Sequence, residues 1–143
     1  MPTFDVSDTN APVHGGTYGN RSSQHFPYSP AANLAIGDDV QICLLEAGTK
    51  LLDAHAFVAN NLAGGTLSLG YRYVDPALAA QSDLTYFHSA QSIATAGRFR
   101  AVTNKPPVTL VGRAYLVATF GGASFPTTNK LDVIVDYDFR GNP

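Results

Sequence analysis

The plainest feature of the chain is strict alternation of apolar and polar positions. From Thr66 to Val74, Leu67, Leu69, Tyr71 and Tyr73 fall on one face, with Thr66, Ser68, Gly70 and Arg72 on the other. Successive side chains of a strand point to opposite faces, so a period of two predicts a half-buried strand. Residues 130–140 repeat the pattern, setting Leu131, Val133, Val135, Tyr137 and Phe139 against Asp132, Ile134, Asp136 and Asp138. Residues 39–46 predict a third such strand, with Val40, Ile42 and Leu44 opposed to Gln41, Cys43 and Leu45. A turn at Ala47-Gly48-Thr49 leads from it into a strand over 50–59. Shorter strands are predicted over 83–88, 97–102, 108–111 and 114–120. The stretch 75–82, opened by Asp-Pro, and the Ala/Ser/Thr-rich stretch 89–96 read as loops with room for one helical turn each.

Seven or eight strands with no long amphipathic helix point to one fold class. Parallel strands need crossover connections of about a dozen residues or more, usually helical. None is visible, so the expectation is an all-β, antiparallel β-sandwich of jelly-roll type over residues 38–143. Residues 1–37 differ: Pro, Gly, Ser and Asn are frequent and no period persists, yet Phe4, Tyr18, Phe26 and Tyr28 are present. Disordered segments are poor in aromatics. This stretch reads as an extended N-terminal arm lying on its own domain or on a neighbouring subunit, with those four rings as anchors. The three aspartates on the outer face of the last strand read as charges guarding a sheet edge.

Composition narrows the function. A length of 143 residues suits one domain. Only 14% of the residues are charged against 45% hydrophobic, which fits a chain that hides surface in an assembly. A net charge of -2 argues against nucleic acid as a partner, because phosphate binding needs a dense cationic face. No apolar run is long enough to span a membrane, and the first residues lack the apolar core of a secretory signal. The single cysteine, Cys43, excludes an intrachain disulfide and reads as a buried structural thiol.

No catalytic constellation emerges. His14, His25, His55 and His88 show no metal-ligand spacing among themselves. Asp53 and His55 would share a strand face and could join a metal site with a third ligand, but a surface pair is the simpler reading. His88, after Tyr86 and Phe87, reads as a strand-end histidine. The aspartate stripe 132/136/138 would splay along a strand instead of converging on a cation. The Gly-Gly pairs at 15–16, 64–65 and 121–122 precede no helix and are not phosphate cradles. No nucleophile elbow or P-loop is present. Asn20-Arg21-Ser22 matches a glycosylation acceptor without a secretion signal beside it. Arg72, Arg98 and Arg100 are candidates for contact with an acidic partner. No cofactor, metal or catalytic residue is expected.

The order of turns and strands resembles a family. Gly37 to Ala54 reads Gly-Asp-Asp-Val-Gln-Ile-Cys-Leu-Leu-Glu-Ala-Gly-Thr-Lys-Leu-Leu-Asp-Ala. It is followed by the strand Gly65 to Tyr71, then Asp83 to Phe87, Thr95 to Phe99, Pro107 to Gly112 and Thr119 to Ala123. Over roughly residues 37–137 this is similar to small virion proteins of tailed bacteriophages, among them capsid decoration or cement proteins. The resemblance rests on strand and turn chemistry. It implies a non-enzymatic protein on the capsid exterior, made in the host cytoplasm. It also implies that the protein clamps the major capsid protein of an HK97-fold shell and associates with itself as a dimer or trimer. The readings kept beside it are a head–tail joining or tail protein and, from another class, a carbohydrate-binding β-sandwich module.

Overall fold

The alternating segments become strands in the computed structural model, which describes residues 3–5, 21–101 and 103–139, the side chains of Arg21 and Phe139 excepted. Among the described residues there are ten strands: β1 (Thr3–Asp5), β2 (Arg21–Tyr28), β3 (Asp39–Leu45), β4 (Thr49–Val58), β5 (Thr66–Tyr73), β6 (Asp83–Ser92), β7 (Gly97–Arg100), β8 (Val108–Thr109), β9 (Ala114–Gly121) and β10 (Leu131–Phe139). A short 3-10 helix, Pro76–Gln81, sits before β6. Its N-cap is Asp75, whose carboxylate accepts from the Ala77 amide.

The strands form two sheets, ordered β1-β3-β9-β5-β6 and β2-β10-β4-β7, with the two-residue β8 also pairing β4. Leaving out β1 and β8 and counting the other strands along the chain, the sheets read 2-7-4-5 and 1-8-3-6. That is the jelly-roll arrangement, two interlocked Greek keys. The pairings within the roll are antiparallel. The core lies between the sheets. Leu67, Leu69, Tyr71 and Tyr73 of β5 and Leu131, Val133, Val135 and Tyr137 of β10 are all buried in it, as their alternation demands.

The roll corrects the expected domain boundary. Its first strand is β2, which falls within residues 1–37 and pairs along its whole length with β10. Phe26 and Tyr28 point inward into the core, while Ser23, His25 and Pro27 face out. Proline hid this strand from sequence reasoning. Pro27 lacks an N–H, and a proline is tolerated on an edge strand, which β2 is. The same pairing makes β10 an interior strand between β2 and β4, so its aspartates do not guard an edge.

Three further differences have local causes. In β3 the register slips between Gln41 and Cys43, so Ile42 and Cys43 are both fully buried and Leu45, not Leu44, reaches the core. A β-bulge adds one residue and reverses the alternation beyond it. β6 runs on to Ser92 instead of ending at His88, through a bulge in which Ala90 takes a φ of 48 and its amide donates to Ser68 Oγ. The expected helical turn in 89–96 is therefore absent. Opposite the start of β6, Gly70 gives the chain room to fold across β5. A Cβ there would lie 2.1 Å from the Asp83 carbonyl oxygen and 2.4 Å from the Leu84 carbonyl carbon.

Two predictions follow from this packing. Gly70→Ala should lower stability by about 1–3 kcal/mol or more, because the obstacle is backbone and not a movable side chain; denaturant titration measures it. Deleting residues 1–20 should leave a cooperatively folding roll, whereas deleting 1–30 removes the first strand and should abolish the thermal transition seen by circular dichroism.

Candidate functional site

The residues expected to meet a partner fall into three separate places. Of the four arm aromatics, Phe26 and Tyr28 are 1% and 5% exposed in the core of their own domain, so neither is offered to a partner. Tyr18 lies outside the described residues. Phe4, on β1, is half-buried against the core. β1 runs parallel to β3, pairing Thr3, Phe4 and Asp5 with Asp39, Val40 and Gln41.

The three arginines do not form one patch. Arg72 lies on the outer face of the β3-β9-β5 sheet, and Arg98 and Arg100 lie on the outer face of the other. Arg72 Nη1 donates to Asp39 Oδ2 at 2.9 Å. With the Gln41 amide turned so that its oxygen faces the guanidinium, Arg72 Nη2 donates to that oxygen at 2.8 Å and the Gln41 amide nitrogen donates to Asp5 Oδ2 at 3.0 Å. Asp39 and Gln41 are on β3 and Arg72 is on β5, so the guanidinium reaches across the intervening β9. Val117 of β9 is fully buried on this outer face. Arg72 is thus a strap that ties β1, β3 and β5 together. Arg98 instead stacks over the Phe57 ring at 5.8 Å, and the exposed Arg100 reaches Asp53 Oδ2 at 3.1 Å.

A cleft of about 520 Å³ opens beside Arg100. It arises where β4 changes neighbour. β7 pairs with its residues 55–58 and β8 with 50–51, and the connection between them swings away from Leu52 and Asp53. That connection is pinned to β6 instead. Tyr86 Oη donates to the Pro106 carbonyl at 2.5 Å, Thr103 Oγ1 donates to the Tyr86 carbonyl, and Lys105 Nζ donates to Asp83 Oδ2 at 2.7 Å. Burial works to raise the Asp83 pKa, but the Lys105 ammonium and the Thr85 donors outweigh it and hold the carboxyl below its usual range. Asn104-Lys105-Pro106-Pro107 lies between the strands expected over 97–102 and 108–111, and the cleft it walls was not anticipated from the sequence. The signal lay in a conformationally fixed proline pair beside a lysine, but nothing in the sequence paired that loop with Tyr86.

On the outer face of β10 two carboxylates are engaged across to β2. Asp132 pairs with His25 at 2.7 Å, and Asp136 accepts from the Ser23 hydroxyl. Among the described residues no three His, Cys, Asp or Glu side chains gather as a metal site. Cys43 is buried, and that burial pushes its thiol well above the usual range, away from the reactive thiolate. His88 is not at a strand end. It lies within β6, fully buried, with Nε2 at 2.9 Å from the Phe99 carbonyl of β7. A carbonyl accepts only, so Nε2 carries the proton and Nδ1 is the bare nitrogen. Desolvation lowers the His88 pKa. The Phe99 carbonyl and Asp53 pull it back up, His55 adds to the lowering, and the net shift is downward.

No protein-family profile matches the chain, and no curated protein does. Solved structures share its fold. A chain of the cyanophage Pam1 capsid asymmetric unit superposes with a TM-score of 0.65 at 20% identity, covering 90% of each chain. A chain of the Ralstonia phage GP4 capsid gives 0.67 at 16% identity, over 99% of this chain and 100% of that one. A chain of the acid-stable capsid of Helicobacter pylori bacteriophage KHP30 gives 0.52 at 16% identity, over 85% and 95%. At these identities the likeness is one of fold.

His88 sets an expectation for acid stability. Its folded pKa lies below the ordinary value of 6.5, so between the two the unfolded chain binds more protons than the folded one. The contribution is complete above about pH 6.5 and is lost as the pH falls toward the folded pKa. The thermal midpoint should therefore drop from pH 7.5 to pH 5. The drop should be smaller in His88→Gln, which keeps a donor for the Phe99 carbonyl without a titrating ring. Parallel curves for the two proteins would remove His88 as the cause.

Proposed function

We propose that the chain is a phage virion structural protein without catalytic activity, a decoration or cement protein that binds the outer surface of an HK97-fold shell. The observation that carries this reading is the extent of the structural likeness. The same roll recurs nearly end to end, in both directions of coverage, in chains of three phage capsids. The likeness is thus to whole chains and not to a shared module inside larger proteins. The inventory of side chains supports it. His25, Arg72, Arg100 and Lys105 are engaged with Asp132, Asp39, Asp53 and Asp83 in cross-strand pairs and a loop pin, and the charge is low and balanced.

The physics of the role is linkage. A protein that binds only the expanded lattice stabilises that lattice, by about 2.7 kcal/mol per site at a hundredfold excess over its dissociation constant. Repetition over many identical sites converts modest contacts into firm attachment. The partners are the major capsid protein and further copies of this chain. Arg98 and Arg100 stand on the outer face of one sheet and have donors to spare for acidic groups on the shell. Arg72 is committed to its strap and is not a contact in this reading.

Purified protein mixed with expanded empty capsids should co-sediment and saturate at hundreds of copies per particle. Saturation at a dozen or fewer would move the assignment to a head–tail joining protein, and no binding would remove the virion-surface role. Arg98→Gln with Arg100→Gln should weaken attachment severalfold while moving the thermal midpoint little, because an exposed ion pair such as Arg100–Asp53 contributes little to stability and no like charge is brought against Asp53. Unchanged attachment would take the arginines out of the interface.

A further inference from the structure

β1 is joined to the roll unlike any other strand. It is parallel to its neighbour β3, and the next described residue, Arg21, opens β2 in the opposite sheet. Residues 6–20 lie between. A parallel pair is not closed by a hairpin, so no tight turn dictates which chain supplies the strand. Fifteen residues can span up to about 50 Å, more than three times the radius of gyration of about 14 Å that a chain of this length adopts.

The acceptor for β1 is complete without that connection. Val40 and Gln41 of β3 offer the backbone edge, the core margin takes Phe4, and Gln41, oriented by Arg72, donates to the Asp5 carboxylate. Arg72 is fixed in turn by Asp39 at 2.9 Å. Everything recognised in the incoming strand therefore belongs to residues 3–5, and an identical strand from another copy satisfies it equally. Exchange of an identical element conserves every contact and adds a link between copies, a low-cost route to association.

We infer that the β3 edge, with its Arg72–Gln41 relay, is an acceptor for the N-terminal strand of a second copy of this chain, so that neighbouring copies exchange residues 3–5. The inference rests on the virion reading in one respect: side-by-side copies on a shell bring donor and acceptor within reach. Exchange then links each bound copy to the next, and a copy leaves only when two strand contacts break.

A photoreactive benzophenone amino acid at exposed position 3 tests this. The labelled, light-isotope protein is mixed with an equal amount of 15N wild type, bound to expanded shells and irradiated. Position 3 lies opposite Asp39, within the tryptic peptide 22–50. Exchange predicts that about half of the cross-linked 22–50 peptide is heavy, the share that random pairing of identical copies gives. Light peptide alone means each strand docks on its own chain and overturns the proposal. Should the mixture fail to bind shells, the virion reading falls separately. Irradiation of the same mixture at high concentration in free solution then decides exchange by the same two outcomes. Arg72→Ala should cut the heavy cross-link severalfold, and an undiminished yield would strike the relay from the acceptor.

Discussion

The inner face of β10 is the constraint on which the rest of the molecule depends. Leu131, Val133, Val135 and Tyr137 are buried against the opposite sheet, with β2 closing one side of that strand and β4 the other. The two neighbours come from distant parts of the chain. Ser23 and Asp136, bonded across β2 and β10, are 113 positions apart. An apolar face left half covered is costly, at about 25 cal/mol for each Å² returned to water. The first and last strands of the roll therefore stand or fall together. Contacts this remote in sequence also carry a large loop-closure cost before they return any stability, which is the regime of slow-folding β proteins.

What the sequence disclosed and what it concealed divide along physical lines. Alternation is a local signal, and where the register is regular it placed the side chains correctly, as in β5 and β10. It failed at bulges. The extra residue beside Ile42 turned Leu45 into the core and Leu44 out of it, and no composition rule marks that position. It failed again at Pro27, because a proline counts against a strand unless the strand is already known to be an edge. Which strands are edges is a property of the whole topology. For the same reason the aspartates of β10 suggested a guarded edge, when in the fold Asp132 and Asp136 pair with His25 and Ser23 on β2. Among the site residues, Arg98 and Arg100 were legible as exposed cations. The role of Arg72 was not, since it depends on Asp39 and Gln41 reaching it over a strand that the sequence places more than forty residues further on.

The polar groups serve the roll itself. Lys105, Thr103 and Tyr86 hold the 101–107 connection against β6, and Arg72 holds the N-terminal strand. Each of these bonds fixes a loop or an edge that the hydrophobic core cannot reach. A single exposed ion pair contributes little to stability, but several polar contacts on one short connection restrict it to one path. This explains how a chain with few charges still has defined margins.

Sheet edges complete the picture, since every open sheet offers backbone groups to any passing strand. The roll has four edges and treats each differently. β6 is bulged at Ala90 and flanked by the pinned connection. β2 carries Pro27. β7 and β8 divide the edge of β4 into pieces too short to template a long pairing. Among the described residues, the edge at β3 is covered by a single parallel strand, residues 3–5. The two edges distorted by a bulge or a proline are closed to further pairing by local geometry. The edge at β3 is closed by occupancy, through the parallel pairing of residues 3–5 with residues 39–41. The edges of the roll thus differ in kind: β2 and β6 resist a further strand by their own local geometry, and β3 by the strand that lies on it.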